Sequence, residues 1–216
     1  MSLIFHGHPL SSFCWKVLLA LYENGTPFEL SIVNLGDPAG RADFEALWPL
    51  GKMPVLVDEG RGAVVAETSI IIDYLDLHYP GRTRFVPEDP ERARETRFWD
   101  RICDNYLQAP MQAIVFDRLR PEGRHDPHGV ADARALLAKA LAYVEGHMQG
   151  RTRLAGDGPS LADCAAAPAL FYADKVMPLA GAYPSCLAYL DRLKAWPSFA
   201  RVLAEAEPYF QYFPEG

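Results

Sequence analysis

The chain has 216 residues, of which 50% are hydrophobic and 23% charged, a composition typical of a globular protein with one large or two small domains. The net charge of −7 is concentrated in residues 1–80, where four Lys and Arg face ten Asp and Glu, so no broad basic surface for nucleic acid is expected. No apolar run approaches the roughly 18 residues that a membrane span needs, so no membrane partner is expected.

The cysteines point to a reducing compartment. The four of them are widely separated along the chain and form no Cys-x-x-Cys pair, which fits a reducing compartment better than a disulfide framework. The first residues also lack a basic region followed by an apolar core, the pattern of a signal peptide. We therefore expect a cytoplasmic protein.

The first 80 residues alternate between strand and helix patterns. Ser11 or Ser12 can cap the first helix, and Asn24-Gly25 is a stop signal at its end. The order β-α-β-α-β-β-α is that of a thioredoxin-like domain. In chain order, the patterns predict a strand at 3–5, a helix from 12 to about 22, a strand at 28–33, a short helix at 41–47, a hairpin after Pro54 and a helix at 68–78.

The segment 51–75 carries the clearest functional signal. Met53-Pro54 is an X-Pro step into a strand, and if this bond is cis the backbone before the proline can pair with a peptide-like ligand. Glu67-Thr68 then opens a helix, whose unpaired first amides suit a carboxylate. Together these features favour a site for a small peptide that carries an amine and carboxylates.

From residue 91 onward the sequence contains only helix patterns. One helix is predicted over 91–106 after Pro90, and another over 131–148. A turn at 157–159 precedes Ser160-x-x-Asp163, a variant of the capping box with Asp in place of Glu or Gln. We interpret this cap as a folding element rather than a catalytic one.

Four segments in order carry a resemblance to a known family. They are 8–17 (HPLSSFCWKV), 51–75, the linker-like 85–90 (FVPEDP) and 160–163 (SLAD). The chain resembles the cytosolic glutathione S-transferases, and among them the bacterial, serine-type, theta- or zeta-like members. The resemblance implies a thioredoxin-like glutathione-binding domain at 1–80, a linker at 81–90 and an all-helical domain at 91–216 that carries the electrophile site.

The resemblance also implies an activity. A glutathione transferase ionises the thiol of glutathione, its co-substrate, for attack on a small and mostly apolar electrophile, commonly in detoxification, and it acts as a homodimer without a metal. Two alternatives stay open. One is a glutathione-dependent isomerase similar to maleylacetoacetate isomerase, and the other is a non-catalytic interaction protein that has kept the fold.

Site residues follow from the resemblance position by position. Ser11 is the expected donor to the sulfur, with Ser12 as the runner-up, and either serine could instead only cap the helix. Met53, held by Pro54, is expected to pair with the cysteinyl unit of glutathione through its backbone. The expected contacts of the remaining glutathione groups are Glu67 and Thr68 for the γ-glutamyl amine and carboxylate and Lys52 for the glycyl carboxylate.

Three further groups of residues have alternative interpretations. Cys14 could form a mixed disulfide, as in some relatives, but its place one helical turn after Ser11 favours a buried, inert thiol. His6-Gly7-His8 lacks further ligands at a metal-binding spacing, so no metal is expected. The electrophile pocket is assigned to Phe13, Tyr106, Met111 and Phe116, with a possible roof from Tyr209, Phe210, Tyr212 and Phe213.

Overall fold

The protein has two parts in a computed structural model that describes residues 3–214: residues 3–78, called here the sheet half, and residues 90–212, called the helical half. The sheet half contains a four-stranded mixed sheet. The predicted order of strands and helices is confirmed. The elements are β1 (Leu3–Gly7), α1 (Ser12–Glu23), β2 (Glu29–Ile32), α2 (Pro38–Leu47), β3 (Val55–Asp58), β4 (Ala63–Ala66) and α3 (Thr68–His78).

The register of the sheet brings three loops to one edge. The strand order is β2-β1-β3-β4, with β1 parallel to β2 and antiparallel to β3, and β3 antiparallel to β4. His6 near the end of β1 pairs with Val55 at the start of β3, and Val55 pairs with Ala66 at the end of β4. The loop into α1, the entry to β3 and the step into α3 are therefore neighbours.

The second half is helical, as predicted. Its elements are α4 (Pro90–Ile102), a π-helical turn (Cys103–Gln108), α5 (Ala109–Arg118), α6 (Pro127–Met148), α7 (Leu161–Val176), α8 (Pro184–Lys194), α9 (Pro197–Ala206) and a 3₁₀ helix (Glu207–Tyr212). Within residues 3–214, no helix combines the length and the apolar character that a bilayer crossing requires.

Three helix boundaries differ from those predicted. The helix predicted over 131–148 begins at Pro127, four residues before the predicted start, because Asp126 caps it by accepting the Gly129 amide at 2.8 Å. The helix predicted over 91–106 ends its α-helical part at Ile102 and continues as the π-helical turn. α2 begins at Pro38, three residues before the predicted start, because Asp37 caps it by accepting the Gly40 amide at 2.9 Å. Asp followed by Pro is an N-cap followed by the preferred first helical residue, so this start was readable from the sequence.

The predicted capping box of α7 is confirmed. Asp163 accepts the backbone amide of Ser160 at 2.9 Å and its hydroxyl at 3.0 Å. Tyr189 of α8 donates to the same carboxylate at 2.7 Å. Burial raises the pKa of Asp163 against the opposing effect of these donors and of Arg153. The cap thus joins α7 and α8 inside the helical half, where it supports folding.

The two halves share one hydrophobic core. Trp15 of α1 is fully buried and packs against Phe171 and Tyr172 of α7, with ring centroids 5.1 and 4.8 Å away, and against Phe199 of α9. Such aromatic pairs add stabilisation beyond the apolar area that they bury. α1, which carries the candidate serines, is therefore fixed from both sides.

Candidate active site

Three predicted features lie at the same edge of the sheet. Ser11 ends the loop between β1 and α1, the Met53–Pro54 peptide bond at the entry to β3 is cis, and Glu67 precedes α3. The cis bond is the geometry on which the sequence-based interpretation of this segment depended. The N-termini of two helices, called here their mouths, and an irregular strand entry are thus neighbours at this edge of the sheet.

Ser11 is the N-cap of α1. Its Oγ accepts the backbone amide of Cys14 at 3.3 Å, which satisfies one of the orphan donors of the first helical turn. A hydroxyl has two acceptor lone pairs and one proton, so a cap bond of this kind uses a lone pair and leaves the proton for another acceptor. Capping and donation to a sulfur are therefore compatible at Ser11.

Ser12 points into the contact between the two halves. It is 6% exposed, and its Oγ accepts Nε2 of Gln108, in the π-helical turn, at 2.6 Å. The Oε1 atom of Gln108 is buried without a hydrogen-bond partner among the described residues. Ser12 is thus held by the helical half, whereas Ser11 belongs to the loop at the sheet edge.

Glu67 has an unusual backbone conformation. Its φ of 68° lies in the left-handed region, and it is the only non-glycine residue with a positive φ in the described range 3–214. A side chain in this region is strained, and such strain is concentrated at ligand clamps and active sites. The Glu67 side chain is exposed and makes no cap bond to α3, while the next residue, Thr68, is buried.

The other predicted glutathione contacts differ in exposure. Pro54 is buried at the start of β3, and Met53 before it is half-buried and packs against Val33, Phe44 and Val55 below the sheet. Lys52 is exposed. This arrangement leaves the backbone of Met53 at the sheet edge and the Lys52 ammonium in solvent, where it can reach an anion.

The four residues assigned to an electrophile pocket do not share one environment. Met111 is 3% exposed and belongs to the core. Tyr106, on the π-helical turn, and Phe116, on α5, are 46% and 55% exposed, whereas Phe13 in the first turn of α1 is half-buried. Phe13, Tyr106 and Phe116 thus expose ring surface, whereas the buried Met111 does not.

The aromatic C-terminal segment has a second role in packing. The ring of Tyr209 packs edge-on against that of His8, with 5.5 Å between the ring centroids. Tyr209 also helps to line an apolar cavity of about 150 Å³ between α1, β2 and α9. Phe210 stacks on Phe171, and Phe213 stacks on Tyr172. The segment therefore lies over the loop before α1. Tyr212 remains 69% exposed.

Cys14 and His8 have structural partners in the same loop. Cys14 is fully buried, its Sγ accepts the His8 amide at 3.4 Å, and burial raises the pKa of its thiol to about 11. His8 accepts the Leu10 amide through Nδ1 at 3.1 Å. Cys14 is thus an un-ionised thiol at neutral pH, which favours its packing role over the thiol-transfer alternative.

A buried ionic cluster, which the sequence analysis missed, lies behind the two helix mouths. Lys16 of α1 is 1% exposed, and its Nζ lies 2.7 Å from Asp104, 2.5 Å from Asp100 and 3.0 Å from the Ser69 hydroxyl of α3. Arg101 pairs with both carboxylates from the solvent side. Two acids and two bases make the cluster neutral, and it fixes α1 and α3 to the helical half.

A partial signal for this cluster exists in the sequence. Asp100 and Asp104 are four residues apart, so they lie on one face of a helical turn, and Lys16 is one of four cations in an acidic region. The bond between Lys16 and Asp104 joins positions 88 residues apart. Gln108, the partner of Ser12, carries no sequence signal of its own, because its direction depends on the π-helical turn.

Comparison with known families decides the assignment. Residues 5–83 match the model of the glutathione S-transferase N-terminal domain, and residues 126–192 match that of the C-terminal domain. The two matches together span more than half of the chain.

The chain belongs to the glutathione S-transferase family. Glutathione S-transferase 3 of Zea mays is 31% identical to it over 92% of both chains. FtsZ-localized protein A of Caulobacter vibrioides is 30% identical over 94% of this chain and 91% of its own length. Maleylacetoacetate isomerase of Pseudomonas aeruginosa is 29% identical over 92% of this chain and 94% of its own.

A solved structure of the family covers the whole chain. A glutathione S-transferase from Methylobacterium radiotolerans, crystallised in complex with glutathione sulfonate, superposes with a TM-score of 0.81 at 27% identity, covering 100% of this chain and 96% of its own. The sheet followed by a helical half is thus the glutathione transferase fold, as the sequence predicted.

Proposed function

We propose that this chain binds glutathione at the edge of the sheet and transfers it to a small, mostly apolar electrophile, with Ser11 as the residue that activates the thiol. The observation that carries the proposal is the convergence of Ser11, the cis Met53–Pro54 step and the left-handed Glu67 at that edge. The relative crystallised with glutathione sulfonate supports the choice of ligand.

Each part of glutathione has a partner of matching chemistry. The Met53 backbone pairs with the cysteinyl unit in the manner of an added strand. The exposed Glu67 carboxylate takes the γ-glutamyl ammonium, and Thr68 at the mouth of α3 takes the adjoining carboxylate. Lys52, which is free to move in solvent, takes the glycyl carboxylate.

Thiol activation then needs one donor and one helix mouth. To lower a thiol pKa by about two units takes roughly 2.7 kcal/mol of differential stabilisation. A hydroxyl that donates to the thiolate contributes ~1.5–3 kcal/mol, and the α1 N-terminus contributes ~0.3–1 kcal/mol. The thiol proton leaves to solvent, and the thiolate forms a C–S bond with the electrophilic carbon while the leaving group departs with the electron pair of the broken bond.

Ser11 is preferred over Ser12 for this role, in keeping with a serine-type enzyme. Ser12 is 6% exposed and bonded to Gln108, so its hydroxyl serves the contact between the two halves. The electrophile would lie over Phe13 and beside Tyr106, with Phe116 at the outer side and Met111 beneath.

The test compares Ser11→Ala with Ser12→Ala. Loss of a hydrogen bond to a charged sulfur predicts a fall in kcat of about 10- to 150-fold for Ser11→Ala, because such bonds contribute ~1.5–3 kcal/mol. The pKa of bound glutathione, followed by thiolate absorbance, should rise in Ser11→Ala, while calorimetry shows a nearly unchanged affinity. If the pH–rate profile of Ser11→Ala matches that of the wild type, Ser11 is not the activating residue.

An isomerase is the second candidate, and the maleylacetoacetate isomerase relative favours it. The same thiolate would add to a conjugated double bond, allow rotation about the resulting single bond, and leave again as glutathione. A screen of aryl halides and of conjugated keto acids separates the two reactions. Only the isomerase consumes no glutathione. A protein that binds glutathione without lowering its pKa would instead be an interaction protein.

A homodimer completes the proposal. Apolar side chains remain exposed on neighbouring parts of β4, α3 and α4: Val64 at 50%, Ile70 at 55%, Leu77 at 70% and Phe98 at 43%. Such a patch is typical of an interface, here between the sheet half of one copy and the helical half of the other. Sedimentation analysis should give a dimer, and a monomer at micromolar concentration would exclude it.

The four free thiols fit a cytoplasmic location.

A further inference from the structure

The loop 8–11 before α1 uses all of its backbone carbonyls. The His8 carbonyl accepts the Ser11 amide at 2.9 Å, and the Ser11 carbonyl accepts the Trp15 amide at 3.0 Å. Between them, the Pro9 carbonyl accepts the Trp15 indole N–H, and the Leu10 carbonyl accepts the Tyr172 hydroxyl at 2.8 Å. Three of these four bonds come from the sheet half, and only that of Tyr172 comes from the helical half.

The Tyr172 bond acts on the peptide plane directly before Ser11. The Leu10 carbonyl and the Ser11 amide belong to the same planar unit, so a bond at each end fixes the orientation of that plane. The amide end is held by the His8 carbonyl and the carbonyl end by Tyr172. With this plane fixed and the Ser11 carbonyl bonded to α1, the direction of the Ser11 side chain from the backbone is defined.

Tyr172 is itself held in place. It lies on α7, is 3% exposed, and has the Trp15 ring on one side and the stacked Phe213 ring at 5.5 Å. Burial raises its pKa, so the hydroxyl keeps its proton as a donor throughout the working pH range. Besides the direct contact of Tyr209 with His8, the C-terminal aromatic segment thus supports the loop through Tyr172.

The bond also affects the electrostatics of the proposed site. A carbonyl oxygen that turned toward a thiolate would repel it, while a carbonyl held inward by a donor does not. Because the Leu10 oxygen accepts the hydroxyl of Tyr172, it is held toward α7.

We propose that Tyr172 is a positioning residue for Ser11, through which the helical half sets the thiol-activating geometry of the sheet half. The proposal rests on the function proposed above. Tyr172 touches neither the sulfur nor the electrophile; it acts through the Leu10–Ser11 peptide plane.

The test begins with the wild-type protein, in which thiolate absorbance gives the pKa of bound glutathione. A pKa equal to that of free glutathione would reject the proposed function itself. Given a lowered pKa, Tyr172→Phe should raise it and reduce kcat about threefold to tenfold, the factor expected from one hydrogen bond of ordinary net strength. The affinity for glutathione should change little.

Tyr183→Phe is the matched control. Tyr183 also lies in the helical half and donates from its hydroxyl to a backbone carbonyl, that of Ala138, but it has no contact with the loop. Its loss should leave the thiol pKa unchanged. If Tyr183→Phe and Tyr172→Phe shift the pKa equally, the effect is a general loss of packing and the proposal fails.

A double mutant separates positioning from an independent role. In the Ser11→Ala background, Tyr172→Phe should cause no further change in pKa or kcat, because it acts through Ser11. Additive effects would overturn the proposal, as would a wild-type pKa in Tyr172→Phe. Should Tyr172→Phe not fold, Phe213→Leu removes the ring stacked on Tyr172 and should raise the pKa by a smaller amount; an unchanged pKa there would equally contradict the proposal.

Discussion

The mouths of α1 and α3 face the same edge of the sheet but differ in how their backbone groups are bonded. Before α1, every carbonyl of residues 8–11 accepts a hydrogen bond and Ser11 caps the helix. Before α3, Glu67 lies in the left-handed region with an exposed side chain that caps nothing. In the first region the backbone around one hydroxyl is fully hydrogen-bonded, and in the second region a polar side chain remains exposed.

Under the function proposed above, this difference implies different tasks for the two regions. A donor that must stabilise a thiolate has to be placed before the reaction, so its surroundings are rigid. A binding residue can complete its contacts when the ligand arrives, and local strain is tolerated there. Changes near α1 should therefore alter ionisation and turnover, and changes near α3 should alter affinity.

The largest expected effect comes from Lys16, which connects the two mouths. Lys16→Met leaves Asp100 and Asp104 buried with Arg101 as their remaining cation, so stability should fall by about 3–5 kcal/mol, as when a buried pair loses one partner. Urea unfolding measures this change. Lys139→Met, at an exposed position, is the control and should have almost no effect. A change of under about 0.5 kcal/mol in Lys16→Met would mean that the cluster does not hold the mouths together.

An intermediate effect is expected at Glu67. Glu67→Ala and Glu67→Gly both remove the carboxylate, so both should weaken glutathione binding about tenfold or more, as expected for a charge-assisted bond. Only glycine relieves the φ of 68°, so Glu67→Gly should be more stable than Glu67→Ala by about 1 kcal/mol. Calorimetry measures the affinity for glutathione, and thermal unfolding measures the stability of the two variants. Equal stability of the two variants would show that this mouth is unstrained in solution.

The smallest effect is expected at Cys14. Because burial raises its pKa to about 11, the native protein near neutral pH should resist iodoacetamide at this position, while the urea-unfolded chain reacts at all four cysteines. Intact-mass analysis counts the modified thiols. Cys14→Ala should keep wild-type turnover. Recovery of a glutathione mixed disulfide at Cys14 would instead support the thiol-transfer alternative. It would also contradict the inert packing role that we assign to Cys14.

Local sequence signals predicted much of the backbone structure at the edge of the sheet where we propose that glutathione binds. Pro54, the turn after Asp58 and Glu67-Thr68 are close in sequence, and each has its own backbone preference, so their arrangement was readable before the structure. The N-cap of α1 was predicted for the same reason. The Asp37-Pro38 start of α2 and the Asp126-Pro127 start of α6 were equally readable and were missed.

The hydrogen bonds that hold the site in place from the helical half could not be predicted from the sequence. The bond from Tyr172 to Leu10 joins residues 162 positions apart, and that from Gln108 to Ser12 joins residues 96 apart. The π-helical turn that directs Gln108 adds one residue to a helical turn, which no composition or periodicity signals. Such long-range contacts depend on how the two halves pack, which a single sequence does not specify.

Trp15 carries a consequence for how the protein can be divided. Its indole is buried among Phe171, Tyr172 and Phe199 of the helical half while its N–H bonds to Pro9. A fragment cut after α3 would expose this ring to water and release the loop beside it. We therefore expect the two halves to unfold together, so that the glutathione chemistry proposed above depends on the whole chain rather than on a separable module.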